Sequence, residues 1–391
     1  MFKFDFDIDD IDEEFSENVA DDSQSPKARA EEHPQAPFQE YPIQQFLDAL
    51  PTLISYSPLS IPIPKTKNTV NLVRRDLFDA RFQLISEGAL DPFPENDEDP
   101  KPKSTAVEPS ILTYLDAPSD LLPGVYEGGL KTWECSLDLV EYLESSGSFS
   151  SYSGKRVVEL GCGTAVPSLY VLQRVLSEPP GNTEETHIHL QDYNASVLEL
   201  VTFPNVLMIW YLSPASSSYR ESSEDAVPMD ASSPGELPIT DELKKAFLAS
   251  LKEHNLHIRF FSGSWESFDP SLTGGNYNLL LTSETIYRQE SLTALINLLQ
   301  TGSAHTVNVP LDSLISEKLS LTLTDGAKAK KSEASNYICL VAAKVLYFGV
   351  GGGISDFVES VEKHQPGAGT VECVLEKVTG VGRKVLRVQW G

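Results

Sequence analysis

The sequence predicts an α/β fold in which a mostly parallel sheet is covered by helices on both faces and finished by an antiparallel hairpin, behind a long acidic N-terminal region. Three observations predict it. From about residue 115 onward, short β-rich runs alternate with helical stretches, the pattern of a parallel sheet with crossover helices. One run, VVEL, leads directly into the loop GCG and then an apolar helix, the arrangement of a nucleotide-type site at a helix N-terminus. The last two runs, TVECVLEKV and KVLRVQW, are separated by TGVGR, a glycine-containing hairpin turn.

Residues 1–110 are expected to be mostly disordered. Residues 1–40 alone hold 13 acidic and 3 basic side chains, and such a segment buries too little apolar surface to offset chain entropy. Two pieces stand apart: FKFDFDI alternates like a docking strand, and LVRRDLFDARFQLISE, residues 72–87, has helical apolar spacing. The remainder, residues 111–391, reads as one domain. Its strands are expected at 156–160, 187–191, 257–262, 277–282 and 337–342, with helices between them and a further helix at 353–364 before the hairpin. Two low-complexity inserts interrupt this order. Residues 212–238, rich in Ser, Pro and Asp, predict a disordered excursion, and residues 302–335 a long mobile loop.

Composition narrows the partners. The 391-residue chain carries a formal net charge of -27, which disfavours direct contact with phosphate backbones or anionic bilayers and favours a basic protein. The four cysteines, Cys135, Cys162, Cys339 and Cys373, are dispersed without CxxC or nearby histidine at ligand spacing, so neither a zinc site nor a disulfide framework is indicated. No basic-then-apolar leader opens the chain, and the longest apolar run, residues 337–348, is interrupted by Lys344. A soluble, cytoplasmic protein is expected, with a nuclear pool left open, acting as a monomer.

The glycine loop departs from the dinucleotide fingerprint. Val166 stands where the last glycine of GxGxxG belongs, followed by Pro167, so pyrophosphate binding is disfavoured. Glu159, two residues before the loop, would repel a phosphate and attract an ammonium or sulfonium; alternatively it is a solvated strand-end charge. Asp192 ends the next strand, where a carboxylate accepts ribose hydroxyls or caps a helix. Together with the hairpin as sixth and seventh strands, these features describe a Rossmann-like methyltransferase of the seven-stranded class that uses S-adenosyl-L-methionine.

The ordered series SDLLPGVYEGGLKTWECSLDLV, VVELGCG, QDYN, FFSGSW, LTSETIY and YFGVGGG closely resembles the protein-histidine methyltransferases, over residues 115–391 and at the Phe-rich acidic start. The resemblance implies that the Trp-Glu-Cys segment folds back over the cofactor, so that Thr132, Trp133, Glu134, Cys135 and Ser136 line its pocket with Glu134 near the methionine ammonium. It further implies that Gly161 and Gly163 approach the methionine moiety and that Gln191, Asp192 and Tyr193 hold the ribose and adenine. Gly263, Ser264 and Trp265 would edge the adenine, and Ser283 would lie under the methyl group. Trp133 and Trp265 as ordinary packed aromatics remain the alternatives. The implied substrate is a histidine in a large-subunit ribosomal protein, so the resemblance implies ribosome biogenesis or translation as the context.

Methyl transfer to imidazole needs alignment and exclusion of water more than acid or base. A carboxylate that accepts the N–H of one ring nitrogen fixes which nitrogen presents its lone pair. Glu284 in TSETIY suits that role and Tyr287 could wall the ring; alternatively Glu284 caps the next helix. The Asn-Pro-Pro-Tyr box of amide and adenine methyltransferases is absent. YFGVGGG, residues 347–353, is expected at the rim of the substrate channel. A protein-lysine methyltransferase of the same superfamily and a non-catalytic cofactor-binding module are the competing functions.

Overall fold

The computed structural model describes residues 36–86, 121–122, 126–303, 337–347 and 352–391. In chain order the elements are β1 (Gln39–Tyr41), α1 (Ile43–Ala49), β2 (Leu53–Ile63), β3 (Asn68–Arg75), α2 (Leu77–Ser86), β4 (Leu121–Leu122), β5 (Tyr126–Glu127), α3 (Glu134–Ser146), β6 (Arg156–Leu160) and α4 (Val166–Ser177). There follow β7 (Thr186–Asp192), α5 (Ala195–Leu212, with a π-helical turn at Leu198–Thr202), α6 (Ser217–Ser222), β8 (Gly235–Pro238), α7 (Asp241–Glu253), β9 (Leu256–Ser262) and β10 (Leu279–Ser283). The chain ends with α8 (Gln289–Ser303), β11 (Ile338–Lys344), α9 (Ile354–Glu362), β12 (Gly369–Lys377) and β13 (Arg383–Trp390).

The main sheet has eight strands in the order β1-β9-β7-β6-β10-β11-β13-β12. Strands β9, β7, β6, β10 and β11 run parallel, and β13 and β12 return antiparallel. The chain runs from β6 through β7 to β9 on one side and from β10 to β11 on the other, so the connections after β6 and β10 diverge at a switch point whose carboxyl-end crevice is the usual ligand site of such sheets. The parallel strands are buried along most of their length because helices cover both faces. One core lies under α3, α4, α5 and α7; the other lies under α8 and α9.

The sequence-predicted strands agree with the structure to within two residues at each end, as do the helix after residue 353 and the hairpin. The eighth strand was not foreseen. β1 adds antiparallel to β9, pairing Gln39 with Ser262 and Tyr41 with Phe260.

Residues 36–86 are regular rather than disordered. β2 and β3 form a long hairpin, and β8, from within the supposed disordered insert at 212–238, pairs with β2 between Leu53 and Tyr56 to complete a three-stranded sheet. Phe46, Leu47, Ile54, Leu72 and Val73 enter the main core, which supplies the apolar burial that the acidic flanks lack. The helical spacing read at 72–87 holds from Leu77; Leu72 to Arg75 belong to β3. Within the insert, the buried Tyr211 donates its hydroxyl to Val227 O (2.7 Å) and accepts from Val227 N (3.0 Å), pinning the Ser-rich stretch to α5. FKFDFDI and residues 304–336 lie outside the described residues. α5 is apolar enough over 18 residues to cross a membrane by composition, yet 78% of that window is buried inside the molecule, as a core helix requires.

Candidate active site

The loop after β6 is fixed from three sides. Cys162 N donates to Gln191 O at 2.8 Å, which continues the β6–β7 pairing around the turn. Gly163 N donates to Asp192 Oδ2 at 2.9 Å, while Oδ1 accepts Asn194 N at 3.1 Å. From beneath, Thr202 in the π-helical turn donates its hydroxyl to Gly163 O (2.6 Å) and Asn205 donates to Thr164 O (3.0 Å). Asn205 Oδ1 also accepts Arg75 N at 2.7 Å, so the β2–β3 hairpin reaches the glycine loop through one side chain.

Glu159 is neither solvated nor aimed at solvent. It is 1% exposed, and its Oε2 accepts Ser168 N at 2.9 Å, capping the first turn of α4. Its Oε1 has no hydrogen-bond partner. Burial pushes its carboxyl up to about 8, with Asp192 adding to the rise and Ser168 opposing it.

The YEGGLKTWECS segment folds back over these strand ends. Asn194 Nδ2 donates to Gly128 O at 3.0 Å, and Thr132 Oγ1 donates to Thr164 Oγ1 at 3.0 Å. Gly129 lies so close to Gly163 that a Cβ at Gly163 would stand 3.0 Å from Gly129 O, in a residue whose φ is +50°; only glycine fits there. Trp133 is the residue before α3, half-buried, with Lys344 Nζ 4.4 Å from the centre of its ring. Glu134 is exposed and 3.8 Å from the same Nζ. Cys135 is fully buried and Ser136 donates its hydroxyl to Trp133 O at 2.7 Å, so these two side chains face the protein. Ion pairs from the C-terminal hairpin hold α3 in place: Arg383 with Asp138 at 2.6 Å and Lys377 with Glu141 at 2.6 Å.

Gln191 is a fully buried brace. Its amide nitrogen donates to Gly263 O (2.8 Å), and its amide oxygen accepts Gly161 N (3.2 Å) and Trp265 Nε1 (2.8 Å). It therefore joins the loops after β6 and β9 instead of opening onto the crevice. Trp265 is half-buried and packs against the core under α8. Ser264 donates its hydroxyl to Glu266, and Tyr193, half-buried, contributes its carbonyl to Gly263 N at 3.2 Å. The N-terminal segment straps the β9 loop, because Ser264 N donates to Ala36 O (2.9 Å) and Phe38 N to Ser267 Oγ (3.0 Å).

At the carboxyl end of β10, Ser283 is half-buried and Glu284 takes φ +58°, a left-handed conformation rare for a glutamate. That turn directs its carboxylate inward. Tyr347 donates its hydroxyl to Glu284 Oε2 at 2.8 Å, Lys344 Nζ stands 3.7 Å from Oε1, and Oε1 is buried without a hydrogen-bond partner. The carboxylate therefore does not cap α8. Burial and the Glu284 charge push the Tyr347 hydroxyl and the Cys135 thiol well above their ordinary ranges, so both stay protonated beside it. Tyr287 lies 6.2 Å from the Tyr347 ring, and Gly352 N donates to Tyr287 O at 3.1 Å, which brings the TSETIY and YFGVGGG motifs together.

Thr132, Trp133, Glu134, the glycine loop, Asp192, Ser283 and Glu284 thus gather at one end of the sheet, while Cys135, Ser136 and Gln191 stand behind it. The sequence reading missed Lys344 as a site residue, although it is the only charge in the apolar run 337–348. Asn194, Thr202 and Asn205 gave no signal, since polar residues that brace a loop follow no fixed spacing. Among the described residues no cluster of His, Cys, Asp or Glu is arranged for a metal ion.

Strand order 3-2-1-4-5-7-6, reading β6 as strand 1, and a glycine loop after β6 at the β6/β10 switch point define a Rossmann-like, class I methyltransferase fold. The chain is 32% identical to Histidine protein methyltransferase 1 of Saccharomyces cerevisiae over 296 residues, covering 73% of this chain and 67% of the yeast protein. It belongs to the histidine protein methyltransferase 1 family. The Schizosaccharomyces pombe member is 29% identical over 87% of this chain and 83% of its own length, and a Bos taurus homologue is 34% identical over 65% and 53%. Magnesium protoporphyrin IX methyltransferase from Synechocystis, solved with bound S-adenosylmethionine, aligns at 10% identity over 65% of this chain and 77% of its own, with a TM-score of 0.30, too low to add to the strand order. No family model matches the chain.

Proposed function

We propose that this protein uses S-adenosyl-L-methionine to methylate a histidine imidazole nitrogen in a basic protein, with a large-subunit ribosomal protein as the substrate class. The observation that carries the proposal is the meeting of the Trp133 segment, the glycine loop and Glu284 at the carboxyl ends of the parallel strands. A cationic cofactor fits this end of the sheet. Glu159 presents a buried carboxyl oxygen without a hydrogen-bond partner, protonated in the folded chain below about pH 8 and free to ionise when a cation lies beside it. Asp192 stands at the end of β7 where a ribose would lie, and the glycine loop allows close backbone approach. When bound, S-adenosylmethionine supplies a methyl group on a sulfonium that departs as a neutral thioether.

The chain's own groups then orient the ring. Glu284 Oε1 accepts the N–H of one imidazole nitrogen, which leaves the lone pair of the other nitrogen to take the methyl group. The same oxygen receives the proton that the cationic product ring sheds. Tyr347 holds the opposite carboxylate oxygen, and Tyr287 walls the ring. The net charge of -27 suits a basic substrate protein.

The test is incubation of purified protein with methyl-labelled cofactor and proteins of the large ribosomal subunit, followed by peptide mapping. Methylhistidine is the expected product. Label confined to lysine would overturn the imidazole assignment, and absence of cofactor uptake by calorimetry would overturn the whole reading.

A further inference from the structure

Lys344 closes a strand that is otherwise apolar and buried from Cys339 to Ala343. Its ammonium lies 3.7 Å from Glu284 Oε1 and 3.8 Å from Glu134 Oε2, both beyond hydrogen-bond length, and 4.4 Å from the centre of the Trp133 ring. Without it, two carboxylates and an indole face would form a cage suited to a cation. With it, the cage is filled by the chain's own positive charge. We propose, resting on the imidazole activity above, that Lys344 is a specificity-determining residue that turns the site away from lysine ammonium groups and toward neutral imidazole.

The geometry bounds the effect. A substrate nitrogen bonded to Glu284 Oε1 at about 3 Å can be no farther than roughly 7 Å from Lys344 Nζ, given their 3.7 Å separation. At an effective dielectric near 20, repulsion between like charges at that distance disfavours an ammonium by roughly tenfold to a hundredfold relative to the same site without the Lys344 charge. A lysine substrate is cationic at neutral pH and meets this repulsion in full. An imidazole is largely neutral there, offers one N–H to Oε1 and binds without it, meeting the repulsion only as the methyl group arrives, when Oε1 takes the ring proton.

The decisive variants are Lys344→Met, which keeps a flexible side chain of similar length and removes the charge, and Lys344→Arg, which keeps the charge. Each is incubated with methyl-labelled S-adenosylmethionine and proteins of the large ribosomal subunit from cells lacking this protein. The labelled proteins are then hydrolysed and methylhistidine is separated from methyllysine. Wild type and Lys344→Arg should carry methyllysine at no more than the detection limit, and Lys344→Met should raise the methyllysine-to-methylhistidine ratio at least about tenfold above that limit. An unchanged ratio in Lys344→Met, or lysine label with Lys344→Arg, overturns the proposal. Lys344→Gln serves as a second neutral variant should the methionine variant misfold. Cofactor affinity by calorimetry should stay within about threefold of wild type; a tenfold loss with an unchanged product ratio would assign Lys344 to the cofactor pocket instead. A wild-type protein that labels no histidine defeats the proposed activity itself, a result separate from any change between variants.

Discussion

Tyr347 donates its hydroxyl to Glu284 Oε2 at 2.8 Å, across 63 residues of sequence, and leaves Oε1 of the same carboxylate buried without a hydrogen-bond partner. A buried acceptor left open in this way costs free energy unless a ligand completes it. Glu284→Gln should therefore lower kcat for methyl transfer about a hundredfold while leaving cofactor affinity near wild type. Tyr347→Phe, which loosens the carboxylate without removing it, should cost about tenfold. Steady-state kinetics beside calorimetry separates the two effects, and equal losses in both quantities would argue that Glu284 serves the cofactor.

Asp192 both anchors the glycine loop and stands where the ribose is expected. Asp192→Ala should lower cofactor affinity at least about a hundredfold, having removed a charged acceptor and freed the loop together. Calorimetric titration measures this, and unchanged affinity would place the ribose elsewhere.

Glu159 makes stability depend on pH in an identifiable window. Its carboxyl is raised to about 8 in the folded protein from an ordinary value of 4.5. Between those values the folded state keeps a proton that the unfolded chain has lost. Stability from this group is thus complete below about pH 4.5 and declines as pH rises toward 8. Glu159→Gln keeps the acceptor for Ser168 N and cannot ionise. Its melting temperature relative to wild type, measured without cofactor, should rise steadily from pH 5 to pH 8.5; a flat difference would show that Glu159 ionises freely in the fold.

The N-terminal strap should matter to stability. A Cβ at Gly263, where φ is +107°, would stand 2.2 Å from Pro37 O, a backbone atom that cannot swing aside. Gly263→Ala should destabilise the protein by about 2–4 kcal/mol in urea unfolding, combining backbone strain with displacement of the strap. Removal of residues 1–38 should reduce the cost of this substitution, because the clash then has no partner.

Asn205 tests whether the β2–β3 hairpin belongs to the catalytic body. It is 1% exposed and joins Arg75 N to Thr164 O. Asn205→Leu should cost about 2–4 kcal/mol, since two buried backbone groups lose their partners. Amide exchange should quicken at both Arg75 and the glycine loop, and quickening at only one would mean the two are uncoupled.

β10 and β11 were legible as nearly unbroken apolar runs, the mark of strands covered on both faces, and β6, β7 and β9 as β-branched, leucine or aromatic residues recurring up to Gly161, Asp192 and Gly263. Residues 36–86 were not, because their evidence is tertiary. Pro58 and Pro62 in β2 argue against a strand interior, yet both lie beyond the stretch that β8 pairs, Leu53–Tyr56, where β2 has a neighbour on one side only. The motifs brought Glu284, Asp192 and the Trp133 segment to one end of the sheet. They could not tell that Gln191, Cys135 and Ser136 would turn inward, since a side chain's direction depends on neighbours distant in sequence, such as Trp265 for Gln191.

The pairing of β2 with β8 sets a limit on how this protein can be dissected. A recombinant fragment begun after the hairpin, to discard the acidic leader, would strip β8 of its neighbour and bare the apolar flank of α5 to water. Such a fragment should precipitate or recruit chaperones, whereas trimming that stops short of the first described residues keeps β1, the β2–β3 hairpin and the strap on the β9 loop.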